Sequence, residues 1–370
     1  MNSGKEFNAR AWLEIDKKKI ISNFREIQKH VAPLDVMAVL KADAYGIGAD
    51  FIAKLLSGHG VAAFGVVELD VAARIKDLGI PIHILGAILE EEVPIVVGEG
   101  YIAPITDIRI ARLISAEAIK QGKAAPCQLK IDSGMGRVGL LLKDAFNMLD
   151  ELCALPGLKI VGAYSHFPSA YQDPEFSEFQ VKTFKEFIDF SKTKGLAFDF
   201  IHIANSDGIH NIASAIAPPF TMVRSGINLY GEFDIPGKRA FQIQPALCLK
   251  SRLIALKAIP KGSSVGYVRS FIAPKEMLIG TVPLGYADGV PSQIPGHGNF
   301  YIGTKKCPVV GRVSMDLTTI SLEDAPEAKV GDEVLCFGQE HRISEWAQLK
   351  GCSTYEILCS LGKRIHRMLV

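Results

Sequence analysis

The composition of this 370-residue chain excludes several classes of protein. Hydrophobic residues make up 48% and charged residues 22%, which is enough for a sizeable core, so a disordered or fibrous chain is excluded. Lysine and arginine total 41 against 40 acidic residues, and no basic run stands out, so we expect no nucleic-acid or membrane partner.

The cysteines and the apolar segments set further limits. The seven cysteines are scattered and form no CxxC pair, so we expect neither a disulfide framework nor a structural metal site. The first residues lack the apolar stretch of a signal peptide, and no segment approaches the ~18 apolar residues of a membrane span. We therefore expect a cytoplasmic protein, and its length favours about two domains.

Short apolar runs alternate with amphipathic segments over residues 35 to 230. Their continuous apolar character is typical of parallel strands covered on both faces. In one amphipathic segment, Asp173, Pro174 and Glu175 predict a helix start, followed by a stripe that includes Phe179. We predict strands at 36–40, 62–67, 82–85, 102–105, 127–131, 159–164, 200–204 and 222–229.

Eight strand–helix units in about 200 residues favour an α/β fold, a closed (β/α)8 barrel of the TIM type. The alternative is an open doubly wound sheet, but no GxGxxG follows the first of these strands. After residue 236 the sequence pattern changes, because glycine and proline residues separate short β-prone runs such as 277–283 and 309–313. This change predicts a second, mostly β domain at the C-terminal end.

Polar residues stand at the ends of several predicted strands, where such barrels carry their reactive groups. Lys41 follows the first strand. At the barrel rim its amine would lose hydration and become a nucleophile for a carbonyl. The alternative is that the aliphatic part of its side chain packs while the ammonium reaches water. Gln128, Lys130 and Asp132 share one face of the fifth strand. Arg137 follows two glycines and would either bind an anion or lie in solvent.

The later strands add a histidine and a candidate phosphate site. Strand six is followed by His166, which by itself fits a structural role better than a catalytic one. The loops after strands seven and eight commonly hold a phosphate, and Ser206 and Gly226 suit that task. A strand-end lysine and a phosphate site are together the two features that pyridoxal phosphate requires.

Several motifs run in order along nearly the whole chain: AWLEID (11–16), AVLKADAYGIG (38–48), KIDSGMGRVG (130–139), YSHF (164–167), HIANS (202–206), MVRSGINLYG (222–231), GYADG (285–289) and GRVSMD (311–316). Together they resemble the motifs of alanine racemases. The resemblance implies a pyridoxal-phosphate-dependent isomerase that interconverts L- and D-alanine by a two-base mechanism and supplies D-alanine for peptidoglycan. It also implies a homodimer with shared active sites.

The resemblance also implies a role for each matching residue. Lys41 would hold the cofactor as a Schiff base and act as acid or base on one face of the substrate, and Tyr267 would act on the other face. Arg224 would bond the pyridine nitrogen, and His166 would link Arg224 to Tyr267. The remaining cofactor-binding residues, most of them around the phosphate, would be Tyr45, Asn205, Ser206, Gly226, Ile227 and Tyr355.

Three further residues are implied at the substrate. Arg137 would contact the phenolic oxygen of the cofactor and the substrate carboxylate, and the backbone N–H of Met315 would hold the same carboxylate. Lys130 would carry a carbamate, an anion that positions Arg137. Ser314 departs from the family, since many relatives carry cysteine at this position. This departure leaves open which substrate is preferred at this part of the site.

The resemblance further implies how the domains combine. Residues 1–13 would form a strand packing with the C-terminal domain, 14–236 the pyridoxal-phosphate-binding barrel, and 237–370 a domain that completes the active site of the partner subunit. Alternatives are a related serine or broad-spectrum racemase and a non-catalytic pyridoxal-phosphate-binding protein. A fold-related decarboxylase would need a catalytic cysteine, for which we find no candidate.

Overall fold

The computed structural model describes residues 9–235 and 237–370, which divide into two units. The β unit comprises the described residues up to Ile20, together with Tyr230–Asp234 and Gln244–Val370. The barrel unit comprises Ile21–Leu229 and the described residues of Ile235–Ile243. Within the described part of the chain, no helix combines the length and apolarity needed to cross a membrane.

Eight parallel strands close the barrel unit, as the apolar runs predicted. Hydrogen bonds join them in the orders β10-β2-β3-β4 and β5-β6-β8-β9. Ile102 bonds with Ile82 and Ile84 and so joins β4 to β5, while the Thr221 N–H donates to the Ile201 carbonyl and joins β10 to β9. The strands are β2 (Asp35–Val39), β3 (Ala63–Val66), β4 (Ile82–Ile84), β5 (Ala103–Ile105), β6 (Ala125–Asp132), β8 (Leu158–Tyr164), β9 (Phe200–His202) and β10 (Met222–Ser225), with the short β7 (Leu140–Leu141) beside β6.

Helices alternate with these strands and begin where the sequence provides caps. The Asp173 carboxylate accepts from the Phe176 N–H at 3.0 Å, so α8 begins at the predicted residue. Phe184 and Phe187 of its stripe are buried, but Phe179 is 56% exposed, so the predicted stripe was too wide. The helices are α1 (Lys17–Val31), α2 (Lys41–Gly46), α3 (Ala49–Ser57), α4 (Leu69–Ile75), α5 (Val93–Glu99), α6 (Ile108–Gln121), α7 (Leu142–Ala154), α8 (Pro174–Thr193) and α9 (Ser206–Asn211).

The eighth barrel strand ends earlier than its apolar run predicted. It stops at Ser225, and the chain turns into a 3-10 helix over Ile227–Tyr230. The side chain of Asn228 stabilises this turn, because its Oδ1 accepts from the Ser225 hydroxyl at 2.7 Å and from the Ser206 hydroxyl at 3.0 Å. Side-chain bonds of this kind compete with a strand ladder, and hydrophobicity does not reveal them.

The β unit is mostly β, as predicted, with one six-stranded and one three-stranded sheet and a small hairpin. Its first strand pairs antiparallel with β11 and parallel with β20. The run 309–313, predicted as a strand, contributes only a bridge from Val309 to Ile320. The elements are β1 (Ala11–Ile15), β11 (Leu247–Arg252), β12 (Ala255–Ile259), β13 (Ser264–Val265), β14 (Phe271–Ile272), β15 (Met277–Val282), β16 (Asn299–Ile302), β17 (Lys305–Pro308), β18 (Thr318–Ser321), β19 (Glu333–Phe337), α10 (Ile343–Lys350), α11 (Thr354–Ser360) and β20 (His366–Leu369).

The cap of α8 gives a test of local stability. Replacing Asp173 with alanine removes the acceptor for the Phe176 N–H, so the opening free energy of the first turn should fall by about 1 kcal/mol, read by amide hydrogen exchange. Asp189→Ala is the matched control, since that carboxylate only pairs with Lys192 on the helix surface. Equal exchange rates in the two variants would contradict the cap assignment.

Candidate active site

Lys41 follows directly after β2, at the rim where the barrel strands end, and it begins a strained turn. Its Nζ lies 5.8 Å from the ring centre of Tyr45. The four residues after it, through Tyr45, have φ between +52° and +62°, so α2 is in part a left-handed turn. Each such residue costs roughly 1–2 kcal/mol, and strain of this kind concentrates at functional sites.

The carboxylate of Asp43 stabilises this turn. It accepts from the Ala49 N–H at 2.9 Å and pairs with Arg74 at 2.6 Å. The backbone carbonyl of Asp43 also accepts from the Gly48 N–H at 2.9 Å. The turn is therefore held at its far end, while Lys41 and Tyr45 stay at the barrel rim.

Gly226, Ser206 and Tyr45 form a small polar cradle at the ends of neighbouring strands. The Gly226 N–H donates to the Ser206 hydroxyl at 3.1 Å. A Cβ atom on Gly226 would lie only 2.2 Å from the hydroxyl of Tyr45, so a side chain there would fill the cradle. Asn205 caps α9 by accepting from the Gly208 N–H at 2.9 Å, and the buried Ile227 follows Gly226. The predicted phosphate residues of the barrel unit thus converge.

Arg224 is the buried centre of the site, with 4% of its surface exposed. Its Nη1 donates to His202 Nδ1 at 2.6 Å, and its Nη2 donates to His166 Nδ1 at 3.0 Å. Nη2 also lies 2.8 and 2.9 Å from the carbonyl oxygens of Ser165 and Ile203, so its two hydrogens are shared among three acceptors. Among the described residues no acceptor is bonded to Nε, which is therefore available to a ligand.

The proton positions on both imidazoles follow from Arg224. Because a guanidinium only donates, the Nδ1 atoms of His166 and His202 must carry lone pairs. Burial, with the nearby cation of Arg224, lowers the pKa of each imidazole well below its usual value. Each ring is therefore neutral and carries its proton on Nε2. Burial lowers the pKa of Arg224 to about 10, so it remains a cation at neutral pH.

Lys130 is buried among cations rather than anions. Its Nζ lies 4.4 Å from the ring centre of Tyr164, and only 5% of the residue is exposed. Burial, together with Arg224 and Arg137, lowers its pKa well below the usual value despite the opposing effect of Asp132. The lowered pKa favours the neutral amine, which is the form that reacts with carbon dioxide to give a carbamate.

The carboxylate of Asp132 organises the loop that carries Arg137. Its carboxylate accepts four backbone N–H groups between residues 134 and 137, at 2.8 to 3.2 Å. Burial raises the pKa of this carboxyl, but the four donors lower it more, and the net shift is downward. Arg137 itself is exposed at the end of this loop.

Three predicted residues belong to the β unit. Tyr267 begins a 3-10 turn and is 68% exposed, and Met315 is 54% exposed. Tyr355 lies half-buried on α11. A Cβ atom on Gly266 would lie 2.5 Å from the Arg312 backbone nitrogen, so the turn that presents Tyr267 requires glycine at this place.

The loops around Met315 are joined by an arginine that the sequence analysis assigned no function. Arg364 bonds Asp288 through Nε and Nη2 at 2.5 and 2.9 Å, and it bonds Asp316 through Nη1 at 2.6 Å. The Tyr286 N–H donates to the Ser314 carbonyl at 3.0 Å, which ties the same two loops together. No local pattern identifies Arg364, because its carboxylate partners are distant in the sequence.

His202 is a second residue for which the sequence predicted no role. It stood in a motif at the end of a predicted strand, which was the one available signal. The structure brings together the predicted barrel residues, and His202 with them. They are Lys41, Tyr45, Lys130, Arg137, His166, Asn205, Ser206, Arg224, Gly226 and Ile227.

Comparison with known proteins identifies the family. Residues 15–234 match the family described as alanine racemase, N-terminal domain, and residues 246–369 match alanine racemase, C-terminal domain. The chain is 33% identical to an alanine racemase of Desulforamulus reducens over 367 residues, covering 97% of this chain and 98% of that protein. It is 34% identical to one from Carboxydothermus hydrogenoformans, covering 97% and 99%.

Solved structures agree with the sequence matches. An alanine racemase of Clostridium difficile 630 superposes with a TM-score of 0.92 at 28% identity, covering 99% of this chain and 97% of that chain. An alanine racemase from Bartonella henselae with covalently bound pyridoxal phosphate has a TM-score of 0.88 at 28% identity, covering 98% and 100%. Both domain families, matched in order along nearly the whole chain, place this protein in the alanine racemase family.

Proposed function

We propose that this protein racemises alanine with pyridoxal phosphate, using two bases, and supplies D-alanine for peptidoglycan. The observation that carries the proposal is the grouping, in the barrel unit, of a strand-end lysine, a polar cradle and a buried arginine. Lys41, the Gly226 cradle and Arg224 match the aldehyde, the phosphate and the ring nitrogen of that cofactor in number and chemistry. Membership of the family supports the choice of alanine.

The cradle and Arg224 fit pyridoxal phosphate. At Gly226 the missing side chain leaves room beside the hydroxyls of Tyr45 and Ser206, which suits phosphate oxygens. The Nε of Arg224, unused by any described residue, is a donor suited to a ring nitrogen. The related protein from Bartonella henselae is described with this cofactor covalently bound. When bound, the cofactor would supply an electron sink that acidifies the Cα–H of an attached amino acid.

The two bases must lie on opposite faces of the substrate. Racemisation requires removal of a proton from one face of Cα and delivery of a proton to the other face, so one group cannot serve both. Lys41 would bind the cofactor aldehyde and hold the proton on the first face, and the phenol of Tyr267 would hold it on the second. His166 presents Nε2–H because Arg224 uses its Nδ1, and that N–H would orient the phenolic oxygen of Tyr267.

Other residues would fix the amino acid and limit side reactions. Arg137 and the Met315 N–H would bind the substrate carboxylate. A carbamate on Lys130 would position Arg137. Because the Arg224 guanidinium does not give up a proton readily, it would keep the pyridine nitrogen unprotonated and so disfavour transamination.

We propose that the active form is a homodimer. Tyr267 and Met315 are more than half exposed, although their proposed roles require contact with the substrate. Exposed apolar side chains accompany them, namely Val268, Ile272, Tyr286 and Leu317. A second copy of the chain would cover this surface and receive Tyr267 and Met315 into its own site.

Variants of the two bases test the mechanism. Purified protein supplied with pyridoxal phosphate should convert L-alanine to the racemate, measured by chiral chromatography, and should turn over serine, lysine and arginine more slowly. Lys41→Ala should abolish racemisation and the borohydride-fixed label on the Lys41 peptide. Tyr267→Phe should keep the label but lower turnover by ~10²-fold or more.

The matched control for the phenol is Tyr301→Phe, which removes a hydroxyl from a buried tyrosine stacked on His341 in the β unit. Its turnover should stay within about twofold of the parent. Near-normal turnover in Tyr267→Phe, or a label retained in Lys41→Ala, would refute the two-base assignment.

Subunit mixing tests the shared site. Neither Lys41→Ala nor Tyr267→Phe has a complete site alone, but a mixed dimer would contain one site with both groups. Random exchange should therefore restore roughly one quarter of the parental activity, since half of the dimers are mixed and each has one of two sites. Sedimentation must confirm that mixed dimers form; if they form without recovered activity, Tyr267 does not act in trans.

The proposed carbamate on Lys130 can be tested with 13C-labelled bicarbonate. Carbamate forms on the neutral amine, and the lowered pKa of Lys130 favours that form. With 13C-labelled bicarbonate, the protein should show a carbamate resonance at neutral pH that Lys130→Ala lacks. Lys159→Ala, on the neighbouring strand β8, is the control and should retain the resonance. A resonance unchanged in Lys130→Ala would place the carbamate elsewhere.

A further inference from the structure

A chain of buried polar side chains continues behind Arg224 and away from the cofactor-binding residues. His202 Nε2 donates to Gln128 Oε1 at 3.1 Å, and His83 Nδ1 donates to the same oxygen at 3.2 Å. None of these three side chains has any exposed surface. The proposed mechanism gives Gln128 and His83 no role, so their burial needs another explanation.

The direction of every hydrogen bond in this chain is determined. Arg224 only donates, so His202 Nδ1 accepts and His202 Nε2 carries the proton. That N–H requires an acceptor, and the carbonyl oxygen of Gln128 provides it. With the amide reversed, its NH2 group would meet the N–H of His202, and two donors would face each other. Gln128 therefore fits one tautomer of His202, the one that Arg224 needs.

Two buried nitrogen atoms that lack a hydrogen-bond partner among the described residues show that this arrangement does not serve packing alone. Gln128 Nε2 and His83 Nε2 are buried and have no hydrogen-bond partner among residues 9–235 and 237–370. Burying such atoms costs free energy, and apolar side chains of similar size would avoid that cost. The value of Gln128 must then lie in its oxygen, which accepts two N–H groups at once.

We propose that Gln128 is a positioning residue for the racemase, because it holds His202 in the orientation that fixes Arg224 and thereby its Nε donor. The proposal rests on the proposed function only in naming the cofactor ring nitrogen as the group that Nε meets. Loss of the Gln128 oxygen leaves the His202 N–H unsatisfied in the barrel interior. His202 then reorients, and one of the four bonds of Arg224 weakens.

Gln128→Leu tests the oxygen directly in the holoenzyme. We expect turnover to fall about tenfold, with the KM for alanine within about twofold, because substrate contacts are untouched. The fraction of reactions that end in transamination, with pyruvate formed and the cofactor aldehyde converted to the amine, should rise severalfold. Cys127→Ala, the buried neighbour on the same strand, is the control and should leave all three quantities near those of the parent.

Gln128→Glu separates positioning from folding, because it keeps the acceptor and adds a charge. The carboxylate would raise the pKa of His202, which in the parent faces the cations Arg224 and Lys130 and the neutral rings of His83 and Tyr164. Protonated His202 cannot accept from Arg224, so the acid limb of the turnover profile should move up by about one pH unit while alkaline turnover stays close to the parent. If Gln128→Leu does not fold, the acid limb of the Gln128→Glu profile tests whether Gln128 is a positioning residue.

Nitrogen-15 NMR of histidine-labelled full-length protein provides a readout independent of activity. In the parent, His202 should show a protonated Nε2 and a bare Nδ1, and in Gln128→Leu the Nε2 resonance should shift. If the parent fails to racemise alanine, the proposed function falls, but this shift still tests Gln128. Unchanged resonances, or unchanged turnover, pyruvate fraction and acid limb in both variants, would overturn the proposal.

Discussion

The burial of one guanidinium determines the arrangement of the barrel interior. Arg224 can neither accept a hydrogen bond nor lose its charge readily, so every neighbour within reach must offer a lone pair. The barrel meets this requirement with two strand-end carbonyls and two imidazoles, and none of the described ion pairs uses Arg224. The tautomers of His166 and His202 follow directly. A group that serves the cofactor in the proposed mechanism thus also orients protons at its neighbours.

The site is cationic, which suits the ligands proposed for it. The positive charges acting on His166 come from Arg224, Lys130, Lys41 and Arg137. Such clustering is unfavourable without compensating anions, and it adds to burial in lowering the pKa of Lys130. A doubly charged phosphate and a substrate carboxylate would relieve it, and a carbamate on Lys130 would do so permanently. The left-handed turn after Lys41 is a further local cost borne at the same place.

The β unit exposes two residues that the proposed mechanism requires. Tyr267 and Met315 stand on tight loops whose geometry depends on close backbone approaches at Gly266 and Gly285. Arg364 bonds the carboxylates on two of these loops, which limits their freedom. Loops held in this way can present a phenol and a backbone N–H with little loss of entropy on assembly. In the proposed dimer, each chain supplies these groups to its partner.

The sequence by itself determined the eight-stranded barrel, the mostly β second unit and the family, because each is encoded in local patterns that do not need the folded chain. Apolar runs mark parallel strands, and short motifs keep Lys41, Arg224 and Gly226 in recognisable surroundings. Tertiary structure alone decided where the eighth strand ends, what Asp132 binds, and which groups His202, Gln128 and Arg364 bond. These depend on side chains that meet across distant segments, as Gln128 meets His83 and His202, and neither periodicity nor spacing records which lone pair will face which proton.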